Sequence, residues 1–348
     1  MVATAILKLQ GSIMQAAAPV HRKRLLDIDR AKGIAIFLVV LGHIGIPRLE
    51  PVWMADTRGL IYSFHMPLFM YLSGFVYFYT KSQLKTADAY RSFFLNRAER
   101  LLVPFFLFGV ILISGKYIAG QFVYIKDYKG YFSSFYYMFF DTTRSPVISI
   151  WYLFVLFVYT VATPLLFRVT GGRLLPLIIL AVIMHYAPYV VDVSDNCYFD
   201  RIMKFYIFFL VGALVFEKFE VAGPLLRQYS PLWAAIFVVL LLLLSRTEYR
   251  YLPVGLASMA CVHGFTLNDH PKCDRVLEYF GDHSFVIYLL NTAFIGLCQA
   301  VFLKAGMPRE WFMLLVFAAL VCGLFGPIAL KMALQWSAPT RRLGRIIT

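Results

Sequence analysis

Apolar residues gather into ten runs, at roughly 31–48, 59–80, 101–119, 150–167, 174–191, 202–216, 231–245, 251–267, 283–303 and 311–331. A helix needs about 20 apolar residues to cross a bilayer, and several runs reach that length while others fall short of it. An eleventh stretch, GYFSSFYYMFF at 130–140, mixes aromatics with serines. It predicts an interfacial or re-entrant piece of the long connection at 120–149, whose Tyr/Phe content suits a lid over an outward-opening cavity. The expected fold is all-α: one polytopic membrane domain over 26–335 with about ten transmembrane helices. A tail at 1–25 and a basic tail at 336–348 flank it.

Composition agrees. The 348 residues are 60% hydrophobic and 15% charged, where soluble domains carry about 25% charge, and mean hydropathy is +0.71. The net charge of +14 does not point to nucleic acid, because the basic residues sit between apolar runs as topology signals. With the N-terminus inside, 21 of the 33 lysines and arginines fall on inner segments, including HRKR at 21–24 and RRLGR at 341–345. The expected orientation is N-in and C-in. The five cysteines have no metal-ligand or disulfide spacing, and three lie inside apolar runs as small hydrophobes. Lys8, Gln10, Ser12 and Gln15 interrupt what would be the apolar core of a signal peptide.

Ionisable residues within apolar runs are costly, about 2.5–3.5 kcal/mol each in lipid, so they are expected to face a cavity or a partner. The first run, DRAKGIAIFLVVLGH at 29–43, carries three. Lys32 and His43 are eleven residues apart, three helical turns plus about 20°, and share a face; Asp29 is within reach of Lys32. His65 lies in the second run, FHMPLFMYLSGF at 64–75, and Pro67 frees the carbonyl of Ser63 beside it. The antiparallel runs bring His43 and His65 to similar depth in the outer half. They read as paired imidazoles able to move a proton, against the plainer reading of two interhelical hydrogen bonds.

A second cluster is inner: Lys81 and Lys85, then Arg97 and Arg100 in RSFFLNRAERLLVPFF at 91–106. Paired guanidinium groups suit a phosphorylated ligand, and the bias of basic residues to the inner face would also put them there. Lys32 to His43 spans about 16 Å along a helix, so a donor held by phosphates inside reaches the histidines only through a long thin arm, such as that of coenzyme A.

These pieces, with WYL at 151–153 and GDHSFVIYLLN at 281–291, resemble in order and spacing the acyltransferase-3 family of integral-membrane sugar and polysaccharide O-acyltransferases, in its fucose O-acetylase-like branch. The resemblance extends over roughly residues 25–330. It implies ten helices in a bacterial inner membrane, a cytoplasmic acetyl-CoA donor, no metal, and an outer glycan acceptor: O-antigen, exopolysaccharide or oligosaccharide. His43 and His65 match the family's histidines in the first two helices, and become the expected catalytic pair. Lys32 takes the place of an arginine in many members, and Arg97 and Arg100 match the basic pair opening the third helix. These three are the expected coenzyme-binding residues. Trp151, Tyr152 and Asn291 are the expected acceptor-side residues: the two aromatics read as an interfacial aromatic belt or a sugar-stacking platform, and Asn291, which stands where many members have histidine and cannot titrate, as a positioning residue. His185 reads as an interfacial helix-end residue or a lining of the acceptor entrance. His263, His270 and His283 read as solvated or headgroup residues. Asp192, Asp195 and Asp200 read as a solvated loop or a carbohydrate contact. The alternative class is a proton-coupled transporter or flippase of a glycan or lipid-linked sugar, which often shows inverted repeats that this chain lacks.

Overall fold

In the computed structural model the described residues are 24–46, 49–80, 86–121 and 130–336. Most of the two terminal tails, Lys81, Lys85 and residues 122–129 of the expected lid lie outside them. The described chain forms helices joined by turns and short 3₁₀ segments, with no strand among the described residues. In order these are α1 (Leu26–His43), α2 (Val52–Tyr62), α3 (His65–Thr80), α4 (Ala87–Ala119), α5 (Tyr131–Phe139), α6 (Trp151–Val169) and α7 (Leu174–Tyr186). There follow α8 (Phe199–Glu217), α9 (Phe219–Gln228), α10 (Ser230–Leu243), α11 (Tyr251–Thr266), α12 (Asp274–Asp282), α13 (Ser284–Lys304) and α14 (Phe312–Trp336).

Five helical stretches are long and apolar enough to cross a membrane: 52–80, 87–119, 148–169, 284–304 and 309–336. The pair α9 and α10, bent by 77°, makes a sixth if it is one span. The bend has a chemical cause. Pro231 cannot continue the hydrogen-bond ladder of α9, and α9 is amphipathic, with Glu220 and Arg227 among its polar residues. Other apolar runs yield helices that are shorter or carry charge: α1 holds Asp27, Asp29, Arg30 and Lys32, and α8 holds Asp200, Arg201 and Lys204. The second run is longer than expected, beginning at Val52, and is interrupted at Ser63–Phe64. Pro67 has no N–H to give Ser63, and the Ser63 hydroxyl turns back to donate to Leu60 O at 2.6 Å. The 130–140 stretch forms only the nine-residue α5, packed on α4, too short to cross a bilayer.

Charge-bearing α1 and α8 are central because glycines weld them to neighbours. Gly74 of α3 and Gly212 of α8 face each other's backbones: an added Cβ would lie 1.9 Å from Phe209 O and 2.1 Å from Tyr71 O respectively. Gly33 of α1 and Gly281 of α12 repeat the arrangement against Leu277 O and Asp29 O, at 2.1 and 2.0 Å. Such contacts bring backbones together where apolar surroundings give no hydrophobic drive to do so. Arg30 braces the same α1–α12 contact, its guanidinium 2.8 Å from Glu278 and 3.3 Å from Asp274. By contrast, α4, α10 and α14 turn Val110, Ile111, Val239, Leu242, Phe317 and Met332 outward. An apolar exterior of this extent fits hydrocarbon rather than water. The molecule is a helical membrane protein.

A histidine-lined candidate active site

The break before α3 places His65 on its first residue, close to the last residue of α1, His43. Tyr62 sits between them: its ring centroid is 6.4 Å from that of His43 and 5.2 Å from that of His65, and its hydroxyl donates to Gly42 O at 2.9 Å. All three line a cavity of about 310 Å³, together with Trp151 at the start of α6, Arg201 at the start of α8 and His185 at the end of α7. That is the size of a small-ligand site. The helix ends supply its polar groups, and the apolar helix bodies beneath supply its floor.

The hydrogen bonds determine what the histidines can do. Nδ1 of His43 lies 2.7 Å from Val39 O, and Nδ1 of His65 lies 2.8 Å from Ile61 O. A carbonyl oxygen only accepts, so in each neutral ring the proton is on Nδ1 and Nε2 carries the lone pair. The His43 ring is thereby held by its own helix and the His65 ring by the end of α2, each with a basic nitrogen on the opposite side. His185 repeats the pattern, donating from Nδ1 to Lys204 O at 2.6 Å. Its Nε2 is buried and has no hydrogen-bond partner among the described residues. The His185 ring is not interfacial: it has no exposed surface and lines the cavity.

The remaining expected residues divide. Trp151 lines the cavity, whereas Tyr152 does not; its hydroxyl bonds the Ser73 hydroxyl and its ring packs on Phe69 and Tyr288. Asn291 is fully buried and turns its amide onto its own helix, donating to Ile287 O at 2.8 Å and Tyr288 O at 2.9 Å. Tyr288, three residues earlier, is the residue through which α13 reaches the cavity wall. Lys32, Arg97 and Arg100 are absent from that wall. Lys32 pairs with Asp29 at 3.2 Å, as the i, i+3 spacing predicts. Arg97 is half-buried over the rings of Phe93 and Tyr77, at 5.1 and 5.8 Å, while Arg100 is exposed.

Several groups escape a linear reading. Asp200 pairs with Lys204 at 3.0 Å on the cavity wall, and Asp195 holds the 142–143 turn through the Thr142 hydroxyl at 2.6 Å and Thr143 N; Asp192 alone of the three is exposed. His263 is not solvated. It has no exposed surface, accepts from the Tyr71 hydroxyl at 2.5 Å on Nδ1, and donates from Nε2 to Asp27 at 3.0 Å. Its signal was its position, twelve residues beyond the start of the 251–267 apolar run with Gly264 beside it. Arg201, at the start of the 202–216 run, was visible only as one more loop cation.

A bundle with an apolar exterior and three Nδ1-tethered histidines around one cavity defines a helical membrane protein with a histidine-lined site. The family model described as an acyltransferase domain matches residues 25–332, and the chain belongs to this acyltransferase-3 family. The chain is 33% identical over 104 residues to nodulation protein NolL of Sinorhizobium fredii (strain NBRC 101917 / NGR234), covering 28% of this chain and 26% of that protein. Against nodulation protein NolL of Mesorhizobium japonicum (strain LMG 29417 / CECT 9101 / MAFF 303099) it is 37% identical over 94 residues, covering 26% and 24%. The chain thus spans about a quarter of the length of these curated relatives. No solved structure matches it.

Proposed function

We propose that this protein is an O-acetyltransferase of a bacterial inner membrane, moving acetyl from cytoplasmic acetyl-CoA to a glycan hydroxyl on the outer side. The reading includes ten spans, N-in and C-in, with the cavity opening outward and Lys32 facing inward. The observation that carries it is the fixed tautomer of His43 and His65 around one cavity. A hydroxyl there meets a basic Nε2, which is what general-base attack on a thioester requires.

In this mechanism the acceptor oxygen attacks the thioester carbonyl while His43 Nε2 takes the hydroxyl proton. Collapse of the tetrahedral intermediate breaks the C–S bond, and the same proton goes to the departing sulfur. His65 serves as second base or proton partner; as a neutral ring with Nδ1–H spent on Ile61 O it has no N–H to offer an oxyanion. Trp151 offers an aromatic face to the sugar, and Tyr152 and Asn291 position the α6 and α13 wall behind it. Lys32, Arg97 and Arg100 hold the phosphates of the coenzyme, with the pantetheine arm running the length of α1. The glycan acceptor is an O-antigen, an exopolysaccharide or an oligosaccharide.

The test is transfer from radiolabelled acetyl-CoA to candidate glycans by the purified protein in detergent. His43→Ala is expected to lower transfer by about 10²–10⁴-fold while the protein still inserts and folds. Normal acetylation by that variant at equal membrane abundance would remove His43 from the mechanism. Proton-coupled glycan movement without release of coenzyme A would replace the enzyme reading with transport.

A further inference from the structure

The cavity has bases in excess and few donors. The Nδ1 protons of His43, His65 and His185 are all spent on backbone carbonyls. The hydroxyls of Tyr62 and Tyr288 donate to Gly42 O and Ser149 O, at 2.9 and 2.6 Å. Lys204 is engaged with Asp200. Among the described residues, what remains is the guanidinium of Arg201, the one cation there outside an ion pair, with the neutral donors of Trp151 Nε1, Ser149 and Tyr251.

Arg201 is held in an unusual way. Its guanidinium carbon lies 5.1 Å from the centroid of Trp151 and 5.8 Å from that of Tyr198. Among the described residues no carboxylate comes within ion-pair distance of it. Ring faces immobilise the planar cation while leaving its N–H edge free. Arg201 is partly buried, with Asp195 and Asp200 acting on it only from beyond ion-pair distance, so negative charge arriving in the cavity during function would be stabilised by it.

We propose that Arg201 stabilises the oxyanion of acyl transfer. This rests on the acyltransferase reading above and adds the electrophilic half of the reaction to its bases. As the acceptor oxygen bonds to the carbonyl carbon, the carbonyl π pair moves onto oxygen, and an Arg201 N–H donates to it. When the C–S bond breaks, the pair returns to re-form the carbonyl and Arg201 is released unchanged. A charge-assisted donor is roughly twice as strong as the neutral hydroxyls nearby, and its fixed position leaves little to reorganise as the charge develops.

The experiment uses full-length protein in detergent, radiolabelled acetyl-CoA as donor and a cell-envelope polysaccharide fraction as acceptor. Arg201→Gln is expected to lower kcat by about 10²–10³-fold with KM for donor and acceptor within about twofold. Arg201→Lys keeps the charge and is expected to retain more activity than Arg201→Gln. Millimolar guanidinium is expected to restore part of the activity of Arg201→Ala and none to His43→Ala. A normal kcat for Arg201→Gln, or a loss confined to acceptor KM, overturns the proposal; the second result would mark Arg201 as a ligand for an anionic group on the acceptor. A lost kcat without guanidinium rescue and with a lowered melting temperature also overturns it, as a structural role. Absence of transfer by the wild-type protein, with every acceptor tried, removes the acyltransferase reading instead.

Discussion

Gly74→Ala tests whether the α3–α8 contact sets the geometry of the cavity. α3 carries His65 and α8 carries Arg201 and Lys204, so the distance between these helices fixes the base relative to the cations. An added Cβ at position 74 would lie 1.9 Å from Phe209 O, against an ordinary contact of 3.4 Å or more. The obstacle is backbone on both sides, so no side chain can swing away, and the helices must part by up to about 1.5 Å. Overpacking of this kind costs about 1–3 kcal/mol of stability. A displacement of about 1 Å at a reacting centre costs about 100-fold in rate. Transfer from radiolabelled acetyl-CoA is therefore expected to fall about 100-fold, with a lowered melting temperature in detergent. Gly212→Ala, blocked by Tyr71 O, should behave alike, and Gly296→Ala, with nothing within 4 Å, should be silent in both assays. Wild-type rate and melting for Gly74→Ala would refute the argument that this contact positions the site.

Two further substitutions separate structural from reactive histidines. His263→Leu removes the bridge between Tyr71 and Asp27 and leaves the phenol buried without its acceptor, a loss of about 1–3 kcal/mol. Thermal unfolding should register it while acceptor KM stays unchanged; a wild-type melting temperature would show the bridge to be dispensable. His185→Ala removes a buried acceptor nitrogen from the cavity wall and is expected to raise acceptor KM several-fold with little change in donor KM. An unchanged acceptor KM would exclude contact with the glycan.

The stretches that build this protein were legible in its sequence. Long apolar runs can only be satisfied as helices in a membrane, and ionisable groups inside them demand a cavity or a partner. That reasoning located α1 and α3 and chose His43 and His65, and the i, i+3 pair of Asp29 and Lys32 followed from helical geometry. The quoted motifs pointed to the acyltransferase-3 family, whose model spans the same stretch.

Partnership across the fold was not legible, because one-dimensional spacing says nothing about which helices meet. Arg201 looked like a loop cation until α6 brought Trp151 over it. His263 read as a solvated or headgroup residue until α1 and α3 supplied Asp27 and Tyr71. His185 gained its place on the cavity wall only through the Lys204 carbonyl of a neighbouring helix. Glycines 74 and 212 are 138 residues apart in the chain, and only their mutual contact shows why both are small. Periodicity and hydropathy determined which segments are helical and which residues are costly in lipid. Tertiary packing decided which of those residues face one another, since an i, i+3 or i, i+4 rule ends at the edge of its own helix.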